Sequence, residues 1–303
     1  MPPKWPVFID TWGEIAPWTH HIVSDTYDKL RDDNADTFSQ GVSGPMEWID
    51  THAHLNSDKF EGPLHDILAR AKEASVVRIL VIGTDREDSE RGVGLAHEYR
   101  QLAAIVGIQP NNLNEAEPED FDKIVALASD PTVVAIGETG MDRYWTTVPI
   151  PLQRDYFWRH LELARDRHLP VVIHCREAEA DIVEVLTEFA DKTGKPIAGV
   201  MHSYAGDEAT ARACLALGLH ISFAGMLTFK KNQPLRDVAA IVPLERLLVE
   251  TDTPYLSPEP FRGKPNEPAR VVHTGGCLAR IHSKSDEEMA SITTSNARTL
   301  FKI

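Results

Sequence analysis

From residue 47 onward the hydrophobic positions follow two alternating patterns. Short runs nearly continuous in apolar and β-branched residues recur along the chain: "EWIDTH", "VVRILVIGT", "AAIVGIQP", "TVVAIGE", "PVVIHC", "AGVMHS", "HISFAG" and "RLLVETD". Between them the apolar positions repeat with helical spacing, as in Leu64, Ile67, Leu68 and Ala71, in Phe121, Ile124, Val125 and Ala128, and in Ile182, Val185, Leu186 and Phe189. Strands that are apolar throughout, rather than at every second residue, are those of parallel sheets covered on both faces. Strand runs alternating with helical runs predict βα units. Eight such units between residues 46 and 303 suit a (β/α)8 barrel, whose usual length is about 250 residues. A doubly wound open sheet would carry a glycine-rich phosphate loop after its first strand, and "IDTHAHL" is not one. After the eighth run the pattern predicts a helix around 267–282 and a last one opened by "SDEE", where Ser285 and Glu288 have capping-box spacing. The expected architecture is an α/β (β/α)8 TIM barrel with an extra C-terminal helix and a short N-terminal extension.

Residues 1–45 fall outside this pattern. They hold Trp5, Trp12 and Trp18, the acidic stretch "DKLRDDNAD" and the linker-like "SQGVSGP". The division predicted is therefore an extension over 1–45 and a hydrolase barrel over 46–303. His20 and His21, adjacent and without periodic context, read as surface residues.

Composition narrows the function classes. The chain is 42% hydrophobic and 25% charged with a net charge of −15, the balance of an ordinary soluble domain. Such an excess of acid argues against broad electrostatic binding of nucleic acid, although bound cations would invert the field locally. Cys175, Cys214 and Cys277 show neither disulfide spacing nor C-x-x-C, as expected in a reducing cytoplasm. The sequence shows neither a membrane-length apolar run nor the build of a signal peptide, so a membrane role is not expected.

In a barrel of this kind the active site lies at the C-terminal ends of the strands. The first run ends in His52 and His54, the fourth in Glu138, the fifth in His174, the sixth in His202 and the eighth in Asp252. Residues i and i+2 of a strand share a face, so His52 and His54 are aimed at one point. Four imidazoles and two carboxylates at five strand ends are a donor set for divalent ions such as Mg, Mn or Zn. Six ligands exceed one tetrahedral site and suit two ions sharing a carboxylate. Glu138 is the expected bridge, with His52, His54 and Asp252 on one ion and His174 and His202 on the other. Glu250, two residues before Asp252, is expected to support a ligand from behind.

The ordered series "IDTHAHL", "AIGETGMDR", "VVIHCRE", "MHSYAG", "ISFAGMLTFK", "VETDTPYLSP", "RGKPNEP" and "SNARTLF" resembles the TatD-type metal-dependent deoxyribonucleases, within the amidohydrolase-like barrels. The resemblance runs from about residue 47 to the C-terminus. It implies a divalent-metal phosphodiesterase, often a 3′–5′ exonuclease on single-stranded or damaged DNA; the sequence carries no sign of an obligatory protein partner. It also implies His52, His54, Glu138, His174, His202 and Asp252 as ligands. The chain departs from the family at "GIQPN", where a "GxHP" motif with a further histidine is usual and this sequence has Gln109 and Asn111. An amide can hydrogen-bond a phosphate or a base but cannot shuttle a proton at neutral pH. The family also begins close to the first strand, as a chain starting at Met46 would.

Further substrate contacts are expected at Gln109, Asn111, Arg176, Lys230 and Arg262. Arg176 lies two residues after His174, placed for a phosphate or for a structural salt bridge. Lys230 and Lys231 follow the seventh run, and Arg262, Lys264, Asn266 and Glu267 lie in the long loop after the eighth. The reading reached is phosphodiester hydrolysis, with Asp252 as general base and Glu138 as bridge. A metal-dependent ester or amide hydrolase, such as an aminoacyl-tRNA deacylase, is the alternative, since the same ligand set serves both chemistries.

Overall fold

The apolar runs form eight parallel strands hydrogen-bonded in chain order, in a computed structural model that describes residues 46–57 and 62–303. The expectations for residues 1–45, including His20 and His21, lie outside the described residues. The elements are β1 (Trp48–Ala53), α1 (Leu64–Glu73), β2 (Val76–Ile82), α2 (Arg86–Glu98), β3 (Leu102–Val106), α3 (Asp120–Leu127), β4 (Val133–Asp142) and α4 (Ile150–Arg167). They continue as β5 (Val171–Arg176), α5 (Glu179–Thr193), β6 (Gly199–Met201), α6 (Glu208–Ala216), β7 (His220–Phe223), α7 (Gln233–Ile241), β8 (Leu247–Val249), α8 (Val271–Ile281) and α9 (Asp286–Phe301).

The barrel closes between β8 and β1. Past the end of β8, Ala53 bridges Thr253 in parallel, the Asp252 N–H donates to the His52 carbonyl at 2.9 Å, and the His54 N–H donates to the Thr253 carbonyl at 2.9 Å. β8 is only three residues long, so side chains extend the seam. The Thr51 hydroxyl donates to the Val249 carbonyl at 3.0 Å, and the fully buried Asp50 carboxylate accepts from the Thr251 N–H at 2.9 Å.

The helices bury the faces their periodicity predicts. α5 buries all four of Ile182, Val185, Leu186 and Phe189; Ile67, Leu68 and Ala71 of α1 and Phe121, Ile124 and Ala128 of the α3 series are also buried, while Leu64 and Val125 stay partly exposed. The Ser285–Glu288 capping box is present at the start of α9. A helix expected from 267 begins later, because a 3-10 turn at Pro268–Arg270 precedes α8. The sixth and eighth strands are also shorter than their apolar runs, leaving His202 and Asp252 just beyond them.

α9 lies across the N-terminal end of the strands. Ala297, Leu300 and Phe301 join the interior cluster that includes Ile49, Leu80, Ile105, Val172 and Leu248. Asn296 donates from Nδ2 to the Leu244 and Leu247 carbonyls, and the Thr294 hydroxyl donates to the carbonyl of Glu47. That end is sealed with apolar side chains, which leaves the C-terminal end for polar chemistry. Among the described residues no helix is long and apolar enough to cross a membrane.

Candidate metal centre

Glu138 sits within β4, between two glycines that no other residue could replace without strain. Gly137 has φ +148 and Gly140 φ +140, and a Cβ on either would run into the backbone carbonyl of β5, at Val172 and at His174 respectively. The "GETG" sequence thereby lets β4 lie close against β5 and turns the Glu138 carboxylate inward. Asp252 takes up a left-handed conformation, φ +55, which Asp tolerates better than most residues. His52 is fully buried near the end of β1, and His54 is the first residue past that strand.

The two oxygens of Glu138 face different histidine pairs. Oε2 lies 3.4 Å from His52 Nε2 and 3.9 Å from His54 Nε2. Oε1 lies 2.9 Å from His174 Nδ1 and 3.2 Å from His202 Nε2. Asp252 Oδ1 stands on the first side, 3.3 Å from His54 Nε2 and 3.8 Å from His52 Nε2. The His52 and His202 rings stack with centroids 4.0 Å apart, joining the two halves. All six residues predicted from the strand ends are thus brought together.

The donor set fits metal ions. His52 Nε2 and His54 Nε2 are 3.3 Å apart, and His174 Nδ1 and His202 Nε2 are 3.5 Å apart. At most one hydrogen can lie between two facing ring nitrogens, whereas a cation takes both lone pairs. Three ligand groups each have their atoms within 4.8 Å: His52, His54 and Glu138; Glu138, His174 and His202; and His52, His202 and Asp252.

The electrostatics point the same way. Burial opposes charge on Glu138, yet His202, His174 and His52 outweigh it and hold the carboxyl well below its usual range. Burial likewise opposes charge on His202, but the Glu138 and Glu250 carboxylates raise it well above the usual histidine range. His54 is raised through Asp252 and Glu138 against its burial, while burial and His202 lower His52. Buried carboxylates here draw positive charge into the centre, and protons or metal cations can supply it.

A second layer of contacts surrounds these histidines. Glu250 Oε1 lies 3.4 Å from His202 Nδ1 and accepts from the Ser203 N–H at 2.7 Å. Asp142 Oδ2 lies 2.9 Å from His174 Nε2 and accepts from Asn111 Nδ2 at 3.0 Å, while Oδ1 accepts from the Trp145 N–H at 3.0 Å. The sequence reading passed over Asp142. Its signal was there, since residues 138, 140 and 142 of a strand share one face.

The model of the TatD-related DNase family matches residues 49–302. The chain belongs to that family. Its relatives include the metal-dependent hydrolase YabD of Bacillus subtilis (strain 168), named as uncharacterized, which is 39% identical over 255 residues covering 84% of this chain and 99% of YabD. The 3′-5′ ssDNA/RNA exonuclease TatD of Salmonella typhimurium is 32% identical over 260 residues, covering 84% of this chain and 99% of that enzyme. Among solved structures, the TatD homologue YjjV of Escherichia coli superposes with a TM-score of 0.80 at 29% identity, covering 85% of this chain and 99% of that one. The chain is accordingly a metal-dependent hydrolase of the TatD family.

The residues expected to touch substrate are dispersed around this TatD-type centre. The Gln109 side-chain oxygen accepts from the Asn111 N–H at 2.8 Å and opens the 3-10 turn Pro110–Asn112. Asn111 is directed at Asp142. Arg176 lays its guanidinium 3.6 Å from the Tyr144 ring centroid and forms no ion pair among the described residues. Lys230 and Lys231 are exposed after β7, and Arg262 stacks on Phe229 at 4.4 Å. Asn266 is buried, donating to the Thr251 and Tyr255 carbonyls, and so ties the long loop to the end of β8.

Proposed function

We propose that this chain hydrolyses phosphodiester bonds in DNA as a 3′–5′ exonuclease, with two divalent ions, Mg, Mn or Zn, held at the centre and Glu138 shared between them. The observation that carries the reading is the division of Glu138, one oxygen toward His52 and His54 and the other toward His174 and His202. His52, His54 and Asp252 would hold one ion, and His174 and His202 the other. Ions bound there would polarise a phosphoryl oxygen and lower the pKa of an attacking water.

The chain's own residues do the rest. Burial works against the Asp252 carboxylate, but His54 and His52 outweigh it and keep it ionised, so Oδ1 is available to take the proton of the attacking water. Asp142 accepts from the far nitrogen of His174, fixing the tautomer in which the near nitrogen presents its lone pair, and the Glu250 carboxylate stands 3.4 Å from the far nitrogen of His202. The name of the Salmonella relative, an exonuclease on single-stranded DNA and RNA, supports the polarity and substrate. Three free thiols, Cys175, Cys214 and Cys277, fit action in a reducing cytoplasm.

The test is protein stripped of metal and re-supplied with Mg²⁺, Mn²⁺ or Zn²⁺, given single-stranded DNA labelled at either end beside carboxylic esters and aminoacyl-tRNA. Metal-dependent release of nucleotides from the 3′ end is expected. Turnover of the esters with the DNA left intact would replace this reading by carboxylic ester hydrolysis.

A further inference from the structure

Three large aromatic side chains among the described residues are about half exposed: Tyr144 at 47%, Trp145 at 51% and Tyr255 at 45%. They are not scattered over the barrel. Tyr144 and Trp145 lie in the loop after β4, and Tyr255 in the loop after β8, four strands away in the closed ring and hence across its mouth. Both groups are tied to the metal centre. The Tyr255 ring stands edge-on to His54 with centroids 5.9 Å apart. The Trp145 N–H is held by Asp142, the carboxylate that also holds His174.

The β4 side is built like a surface for a flat ligand. The Tyr144 and Trp145 rings meet edge to face with centroids 5.0 Å apart and planes at 89°. The Arg176 guanidinium packs 3.6 Å from the Tyr144 centroid and 5.9 Å from that of Trp145. Most other mouth-side arginines are engaged elsewhere: Arg143 with Asp181, and Arg270 with Ser257 and the Pro265 carbonyl. A guanidinium stacked on an aromatic face and free of carboxylates can still present its edge to a phosphate. Exposed aromatics of this kind hold bases by stacking, tolerating any sequence because every base has a π face. In a chain with a net charge of −15, stacking offers a grip on a polyanion that a broad basic surface does not.

We propose that Tyr144, Trp145 and Arg176 form a stacking platform for an unpaired nucleobase of the polynucleotide substrate, with Tyr255 taking a second base on the far side of the metal centre. The proposal rests on the phosphodiesterase reading. It assigns selection of unpaired strands to base stacking on the loops after β4 and β8, since a base within a duplex has no free face to offer.

The test uses the full-length, metal-loaded protein and a single-stranded thymidine decamer. Trp145→Ala and Tyr144→Ala are expected to raise KM by about 10- to 100-fold, as for the loss of one stacked base, with kcat little changed. Trp145→Phe keeps a stacking face and should restore most of the KM. A decamer of deoxyribose phosphate without bases, used as a competitor, should show the same Ki with wild type and Trp145→Ala. An unchanged KM in Trp145→Ala overturns the platform. So does a Ki that rises in parallel with KM, which would make the loop only a shaper of the mouth. A fall in kcat at constant KM also overturns it, since Trp145 would then act through Asp142 on His174. Wild type that hydrolyses carboxylic esters but neither binds nor cleaves the decamer removes the phosphodiesterase reading itself, and the platform with it. Cleavage of the decamer at a KM indifferent to Trp145 removes the platform alone.

Discussion

Asp142 Oδ2 lies 2.9 Å from His174 Nε2, and the opposite nitrogen of that ring, Nδ1, lies 2.9 Å from Glu138 Oε1. The imidazole is suspended between a carboxylate behind it and the centre in front. Burial disfavours charge on Asp142, but His174 and Asn111 outweigh it and bring the carboxyl down to about 2. Asp142 is therefore an anion throughout the neutral range and accepts a hydrogen from Nε2, leaving the Nδ1 lone pair directed inward.

Asp142→Asn should weaken metal binding by about 10- to 100-fold while the barrel stays folded, because the outer partner of a proposed ligand, His174, is lost and the ring is no longer held in one tautomer. Calorimetric titration of metal-free wild type and variant measures this directly. Equal affinities would show that His174 is oriented without Asp142.

Glu138→Gln tests the shared carboxylate. The amide nearly preserves volume but removes the charge between the two histidine pairs, so on the proposed two-ion reading both ions should weaken and turnover should fall by orders of magnitude. His202→Ala should instead remove chiefly the ion on the His174 side, leaving His52, His54, Glu138 and Asp252 with theirs. Metal content of each purified variant at matched free metal separates the two outcomes. Two ions and near-normal turnover in Glu138→Gln would mean that another residue joins the sites.

Stability should fall with acid through two buried histidines away from the centre. His160 accepts the Ile108 N–H at Nε2 and donates from Nδ1 to the Tyr156 carbonyl, so it is built to be neutral. Burial pushes it down to about 4, and burial with Arg246 nearby pushes His220 down to about 4 as well. An unfolded histidine titrates near 6.5. Between these values the unfolded chain binds more protons, so the contribution is complete above about pH 6.5 and is lost as pH falls toward 4. Each histidine should cost about 2 kcal/mol between pH 7 and pH 5, an upper bound that assumes no relaxation. Urea denaturation of metal-free protein at both pH values, with His160→Gln alongside, isolates one of the two. A variant with the same pH difference as wild type would exclude His160 as the source.

Gly275→Ala tests the packing of α8 on the first strand. A Cβ at Gly275 would overlap the indole of Trp48, which is 1% exposed, so the buried ring or the helix must shift. Overpacking of this kind costs about 1–3 kcal/mol, a fall of a few degrees in Tm for a chain of this size. A calorimetric scan of metal-free wild type and variant reads the difference. No loss of Tm would mean that α8 shifts without penalty.

Local pattern alone determined a great deal of this protein. The near-continuous Val and Ile runs, separated by helical repeats, specified eight parallel strands, because only strands covered on both faces can afford to be apolar throughout. The polar residues interrupting the ends of those runs singled out His52, His54, Glu138, His174, His202 and Asp252 as candidates that the fold brings together, since the direction of a strand's side chains follows from a period of two. Tertiary structure decided which atoms face one another. The division of Glu138 between two histidine pairs depends on how closely β4 approaches β5 and on the closure of β8 against β1, which are distances between segments far apart in sequence. The same holds for Asp142, whose partners Asn111 and His174 come from the turn after β3 and from β5, and for Arg176, which packs on Tyr144 rather than on a carboxylate. Periodicity records which face of an element is buried. It carries no information about what lies opposite that face, because barrel closure and the packing of loops over the mouth set those neighbours.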